Sequence, residues 1–129
     1  MHWVIHSCED FQKRLKKFGK EPSWKQEVAN IGDNLDTLFK SLNDGIKPTQ
    51  LKAHSFVHGN YELGILSIDE SGPRGKQKPK ALRLYVFPHE PSKKLYVMIL
   101  GDKSTQPDDV RLSKGFVSGL LERDEHSGQ

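Results

Sequence analysis

What this chain has little of narrows it first. Cys8 is the only cysteine among 129 residues, which excludes an internal disulfide framework and a thiolate zinc cluster. Six histidines are scattered without metal-ligand spacing. His54 and His58 lie four apart, but Gly59-Asn60 follows directly and marks a turn rather than a ligand helix. No metal site and no cofactor are expected. Apolar runs such as Leu95–Leu100 fall far short of the roughly 20 residues of a membrane span. The N-terminus lacks the apolar centre of a signal peptide. A cytoplasmic protein with no membrane partner is expected. Apolar residues make up only 34% of the chain and mean hydropathy is −0.69, so the core is economical and the surface heavily solvated. The length suits one domain, 1–129, with residues 122–129 a polar tail expected to fray.

Charge is uneven along the chain. Net charge is +3, which permits an anionic partner without demanding one. The first fifty residues are close to neutral, and the segment after Lys103 is slightly acidic. Residues 70–103 hold Arg74, Lys76, Lys78, Lys80, Arg83, Lys93, Lys94 and Lys103 against only Glu70, Glu90 and Asp102. That basic stretch coincides with the two best strand candidates, Leu82–Phe87 and Leu95–Leu100, separated by the turn-forming Pro88-His89-Glu90-Pro91-Ser92. Leu82, Leu84 and Val86 share one face, and Arg83, Tyr85 and Phe87 the other. An arginine among apolar residues argues for an open face there. With the turn at His89–Ser92, Arg83 is expected opposite Met98, several residues away from Lys103.

Period assigns the rest. Met1–His6 reads as a first strand, and Ser7 as the cap of a helix whose stripe is Cys8, Phe11, Leu15 and Phe18, with Gly19 closing it. Lys13, Arg14, Lys16 and Lys17 fall on the opposite, solvent face. Ser23 and Gln26 have capping-box spacing. Trp24, Val28, Ile31, Leu35, Leu38 and Leu42 then form a second helical stripe that Gly45 and Pro48 end. Gly32-Asp33-Asn34 weakens its middle, leaving either one kinked helix or two. Leu51–Val57 and Tyr61–Ile68 flank the turn His58-Gly59-Asn60 as strands, and Asp69–Lys80 reads as a mobile loop. A last helix opens at Asp108-Asp109-Val110, with Gly115 and Gly119 weakening it. The order predicts an α+β domain: an N-terminal helical hairpin on one face of a small, mainly antiparallel sheet, then a C-terminal helix.

At the residues Gly59-Asn60-Tyr61-Glu62-Leu63, Leu82–Phe87, Leu95–Leu100, Gly101–Pro107 and Asp108-Asp109-Val110, in that order, the chain resembles the RelE/ParE superfamily of toxins. The likeness is to the HigB-like, phage-derived branch of type II toxin–antitoxin systems. It covers about half the chain and rests on the ordered set, not on any one motif. Gly64 departs from it, standing where the family carries arginine, and Lys103 is single where a lysine pair is usual. The resemblance implies a RelE-like domain that cleaves messenger RNA on the ribosome and is neutralised by a cognate antitoxin.

Such chemistry attacks a phosphate with the neighbouring ribose 2′-hydroxyl, so it needs a proton acceptor and cations for the developing charge. The candidate residues are Arg83, whose guanidinium binds two phosphate oxygens at once, Lys103 as a second phosphate contact, and either Glu62 or His89 as base. An alternative role for Arg83 is an ion pair with Glu62 across the sheet. Lys76, Lys78, Lys80, Lys93 and Lys94 would follow the RNA backbone, and Tyr85 would stack a base. Two other readings stay open: a non-catalytic toxin-like or gyrase-targeting protein, which Gly64 favours, and a basic nucleic-acid-binding module.

Overall fold

The computed structural model describes residues 2–71 and 82–127, with side chains to 124; Lys76, Lys78 and Lys80 lie outside the described residues. It is an α+β fold around one five-stranded sheet. Strand β1 (Val4–Ser7) leads to helix α1 (Glu9–Gly19) and, through a single 3-10 turn at Pro22–Trp24, to α2 (Lys25–Asn43). Then come β2 (Val57–His58), β3 (Leu66–Asp69), β4 (Arg83–His89) and β5 (Lys94–Gly101), and last α3 (Gln106–Ser127). The sheet order is β1-β5-β4-β3-β2. Only β1 runs parallel to its neighbour. The chain's first strand thus closes the sheet against its last, which local pattern could not reveal.

Face parity in β4 follows the expected alternation. Leu82, Leu84 and Val86 join Leu95, Val97 and Leu100 under Ile31, Leu38 and Leu42 of α2 and Phe18 of α1. Tyr85 and Phe87 join Tyr96, Met98 and Ile99 under Val117 and Leu120 of α3. The second face is therefore covered by a helix beyond Arg83, which corrects the expectation of an open face there. That helix is the one expected from Asp108-Asp109-Val110, and it runs unbroken through Gly115 and Gly119, with Val110, Phe116 and Leu121 packed beside Val117 and Leu120. Its far end is not frayed through residue 124: Asp124 pairs with His89 Nε2 at 2.5 Å, fastening the helix to the end of β4.

Local corrections have local causes. Helix α2 is continuous through Gly32-Asp33-Asn34, and Asn34 is buried with a partner. Neither Ser7 nor Ser23 caps a helix: Cys8 and Trp24 occupy those positions without a side-chain cap. Pro48–Ala53 and Glu62–Gly64 are 3-10 turns, so the two strands expected around Gly59 shrink to β2 and β3. Arg14 points inward from the α1 face read as solvated. β1 stops short of the end of β5, and Arg14 donates to the Leu100 carbonyl left at that edge (3.3 Å) and to Asp109 (3.4 Å).

The β4–β5 register differs from the sequence expectation. Glu90–Lys93 form the turn, with Lys93 at φ 54, and His89 faces Lys94. Opposite Tyr85 and Val86 the register shifts, leaving Met98 as an extra residue, a β-bulge. Arg83 consequently faces Gly101, not Met98, and Lys103 stands two residues beyond. Gly101 is required there by close approach. A Cβ would run into the Asp109 carboxylate and lie 2.6 Å from Thr105 Oγ1. Asp109 cannot swing away, being fully buried and bonded to Thr105 at 2.6 Å. Gly101→Ala is expected to destabilise the fold by about 1–3 kcal/mol, read as a melting temperature lower by several degrees. An unchanged melting temperature would refute this packing.

Candidate functional site at the end of β3

The polar centre of the sheet is Asp69, the last residue of β3, 6% exposed. Every polar group it owns is held. Its N–H donates to the Phe56 carbonyl (3.0 Å). Its carbonyl accepts from Asn34 Nδ2 of α2 (2.8 Å), and the same amide reaches the Ser71 carbonyl (2.9 Å). Carboxylate oxygen Oδ1 accepts from the Ser71 N–H at 2.8 Å, an Asx-type turn, and from the Ser71 hydroxyl. Oxygen Oδ2 meets His58 Nε2 at 2.7 Å and Arg83 Nη1 at 3.4 Å. Register explains the meeting: His58 faces Ser67 while Asp69 faces Arg83, so all share the α3 side of neighbouring strands.

Burial alone would raise the Asp69 pKa, but hydrogen bonds from Ser71 and His58, together with the His58 charge, hold the carboxyl below its ordinary value of 3.8. It is therefore ionised at neutral pH. Asp109, at the start of α3, goes the other way. Burial raises it above 3.8 despite the bond from Thr105 and the charge of Arg14. Around Asp69 the exposure is graded: the Arg83 and His58 side chains are 26% and 36% accessible. The arrangement therefore presents a cation and an imidazole to solvent on a buried anionic anchor. Those are the chemical groups that oxyanion binding and proton transfer require.

The residues proposed from sequence divide between two ends of the sheet. Arg83 begins β4 and His89 ends it, about 20 Å apart at ~3.3 Å per residue. His89 is buried between Asp124 and the Ser92 hydroxyl (2.6 Å), so it serves as an anchor for α3 and not as an exposed turn base. Lys93 lies over the Trp3 ring and pairs with Glu90 at 3.7 Å, and Lys94 is exposed at the same far end. Glu62 pairs with Lys114 of α3 at 3.6 Å, not with Arg83. Tyr85 is 1% exposed, its hydroxyl pushed well above the usual range by burial, so its ring has no free face for a base. Lys103 is exposed near the Arg83 end. Gly64 has a local reason to be glycine: its φ is +79, next to Leu63 at φ 64, a left-handed turn that a side chain would strain.

His58 and Asp69 were missed. His58 was read as part of a turn, and Asp69 as the first loop residue. The available signal was parity: two steps on from Ser67, Asp69 keeps the face of its strand and lies across from Arg83.

Compared with family models, with curated proteins and with solved structures, the chain finds no match. Among the described residues no helix is long and apolar enough to cross a membrane.

The two buried aspartates give opposite pH dependences. Asp69, with its folded pKa lowered, contributes stability above its unfolded value that is lost as pH falls through the folded one. Asp109, with its folded pKa raised, has the reverse sign: stability falls as pH rises from 3.8 through its folded value. Denaturant unfolding followed against pH is expected to show Asp69→Asn less stable by about 1–3 kcal/mol at neutral pH and flatter than wild type in acid. Asp109→Asn should lose the decline seen on raising the pH. Parallel curves for wild type and both variants would contradict these assignments.

Proposed function

We propose that this chain is a toxin of a type II toxin–antitoxin system that cleaves messenger RNA on the ribosome in the cytoplasm and is neutralised by a cognate antitoxin. The observation that carries the reading is the half-exposed guanidinium of Arg83, fixed by buried Asp69 beside His58. An arginine held through one guanidinium nitrogen, with its side chain still 26% accessible, is organised in advance for a phosphate. Support also comes from the resemblance across the strands and from the basic residues crowded between Glu70 and Lys103. In this reading Arg83 neutralises charge on the phosphate as the 2′-oxygen adds. Lys103, two residues past the Gly101 that faces Arg83, holds the strand electrostatically. A hollow lined by Lys52, Gly59, Tyr61, Ile65 and Phe87 begins at the residue after His58, so Tyr61 takes the base-stacking part first given to Tyr85.

A second reading has its own observation. An Arg83–Asp69 pair with Asn34 and Ser71 attached is also what a purely structural clamp needs, which favours a non-catalytic toxin-like protein. Induced expression and a translating extract separate the two. Wild type is expected to arrest growth and cut messenger RNA. Arg83→Ala should lose about 100-fold or more of the cleavage rate while melting within a few degrees of wild type. Lys103→Ala should weaken binding with a shallower salt dependence. Growth arrest with intact RNA points to the non-catalytic or gyrase-targeting class, and neither effect to a nucleic-acid-binding module.

A further inference from the structure

We infer that His58, through its Nδ1 atom, is the group that takes the proton from the attacking 2′-hydroxyl, with Asp69 as the positioning residue that fixes its tautomer. The inference rests on the RNA-cleaving reading and names the base that reading lacks, since Glu62 and His89 are both committed elsewhere.

The tautomer follows from the hydrogen bond. The Asp69 carboxyl is ionised at neutral pH and can only accept. His58 Nε2 lies 2.7 Å from its Oδ2, so Nε2 carries the hydrogen and donates. In the neutral ring the lone pair then sits on Nδ1, on the side of the imidazole away from the carboxylate. Among the described residues Nδ1 has no recorded partner, and the side chain is 36% accessible. A free lone pair at the surface, on a ring locked by a buried anion, is the geometry of a general base.

The anchor is stiff where a base needs stiffness. Asp69 is held through its N–H, its carbonyl and both carboxylate oxygens by β2–β3 pairing, α2 and Ser71. His58 sits on the short strand β2, the edge of the sheet among the described residues. Charged groups facing it are Asp69 from β3, Arg83 bound to that same carboxylate from β4, and Lys52, whose stem crosses Gly59. The ring and guanidinium meet at one oxygen of Asp69, which sets the two groups side by side at this end of the sheet.

The step balances within the RNA. Nδ1 accepts the 2′-hydroxyl proton, the 2′-oxygen bonds to phosphorus, and the bond from phosphorus to the 5′-oxygen breaks. The 5′-oxygen takes a proton from water, and His58 returns its own to solvent. The products are a 2′,3′-cyclic phosphate and a 5′-hydroxyl.

The test uses full-length wild type, His58→Ala, His58→Gln and Asp69→Asn on ribosomes translating a defined message, with ends analysed and rates taken against pH. Expected are cyclic phosphate ends for wild type and a loss of about 100-fold or more for both His58 variants. Those variants should still bind a 2′-deoxy-substituted RNA within about threefold of wild type, an expectation that follows from proton transfer requiring the hydroxyl and binding not requiring it. The rise of wild-type rate with pH should flatten when His58 is replaced, and Asp69→Asn should change the shape of that profile as well as its height. Nitrogen-15 spectra of the wild-type ring should report the Nε2–H tautomer without reference to activity. An Nδ1–H tautomer overturns the inference, as does cleavage by His58→Ala within threefold of wild type with an unchanged pH profile. Wild type that leaves every message intact removes the RNA-cleaving reading and this inference together, whereas an active wild type with an active His58→Ala removes the inference alone.

Discussion

One buried carboxylate sets the terms for this end of the molecule. Removing Asp69 from water is unfavourable unless its oxygens are fully bonded, and the fold meets that demand from four directions. Asn34 and Ser71 hold the backbone and one oxygen. His58 and Arg83 converge on the other. Each of these neighbours then has its position dictated. Asn34 becomes a polar residue on the buried side of α2, β2 is drawn in as a two-residue edge strand, and Arg83 is kept at the rim of a sheet whose next residues on that face, Tyr85 and Phe87, are buried under α3. The same demand that stabilises the fold leaves two ionisable tips at the surface, close together and restrained.

A second polar knot, around Asp109, closes the neighbouring corner by a different balance. Thr105 and Arg14 bond it, and Gly101 makes room for it, yet burial still dominates its proton affinity. Through Arg14 it also ends the β5 edge that β1 leaves uncovered. At the far end of β4, His89 and Asp124 hold the tail of α3. The three knots share a principle. Where helices and strands end, side-chain charge replaces the hydrogen bonds that regular structure no longer provides. Only the Asp69 knot combines an accessible cation with an accessible imidazole.

The sequence made much of this fold legible, and its failures have physical causes. The alternation of Leu84 with Tyr85 and Val86 with Phe87 was enough to assign both faces of β4, because period two survives in a strand buried on both sides. The four-three stripe from Trp24 to Leu42 identified α2. The parallel pairing of β1 with β5 was out of reach, since it joins residues some ninety positions apart with no local trace. Arg83 was placed opposite Met98 because a bulge and a four-residue turn leave no mark in hydropathy. Arg83 was singled out by its cost among apolar neighbours, and Lys103 by its place after β5. Its partners were lost because the 3-10 turn at Glu62–Gly64 hid where β3 begins, and so hid the parity that puts Asp69 on the face of Arg83. Glu62, His89 and Tyr85 satisfied residue chemistry but not geometry.

The central claim is that the Asp69 end of the sheet, and not the basic hairpin tip, receives the RNA backbone. Side-chain nitrogen and backbone amide shifts measured while a 2′-deoxy-substituted oligonucleotide is added address it directly. The account predicts the largest changes at the His58 ring, the Arg83 guanidinium and the Asp69 and Lys103 amides, with those at His89, Lys93 and Lys94 small. Changes concentrated at the hairpin tip, with His58 and Arg83 unmoved at saturation, would contradict it.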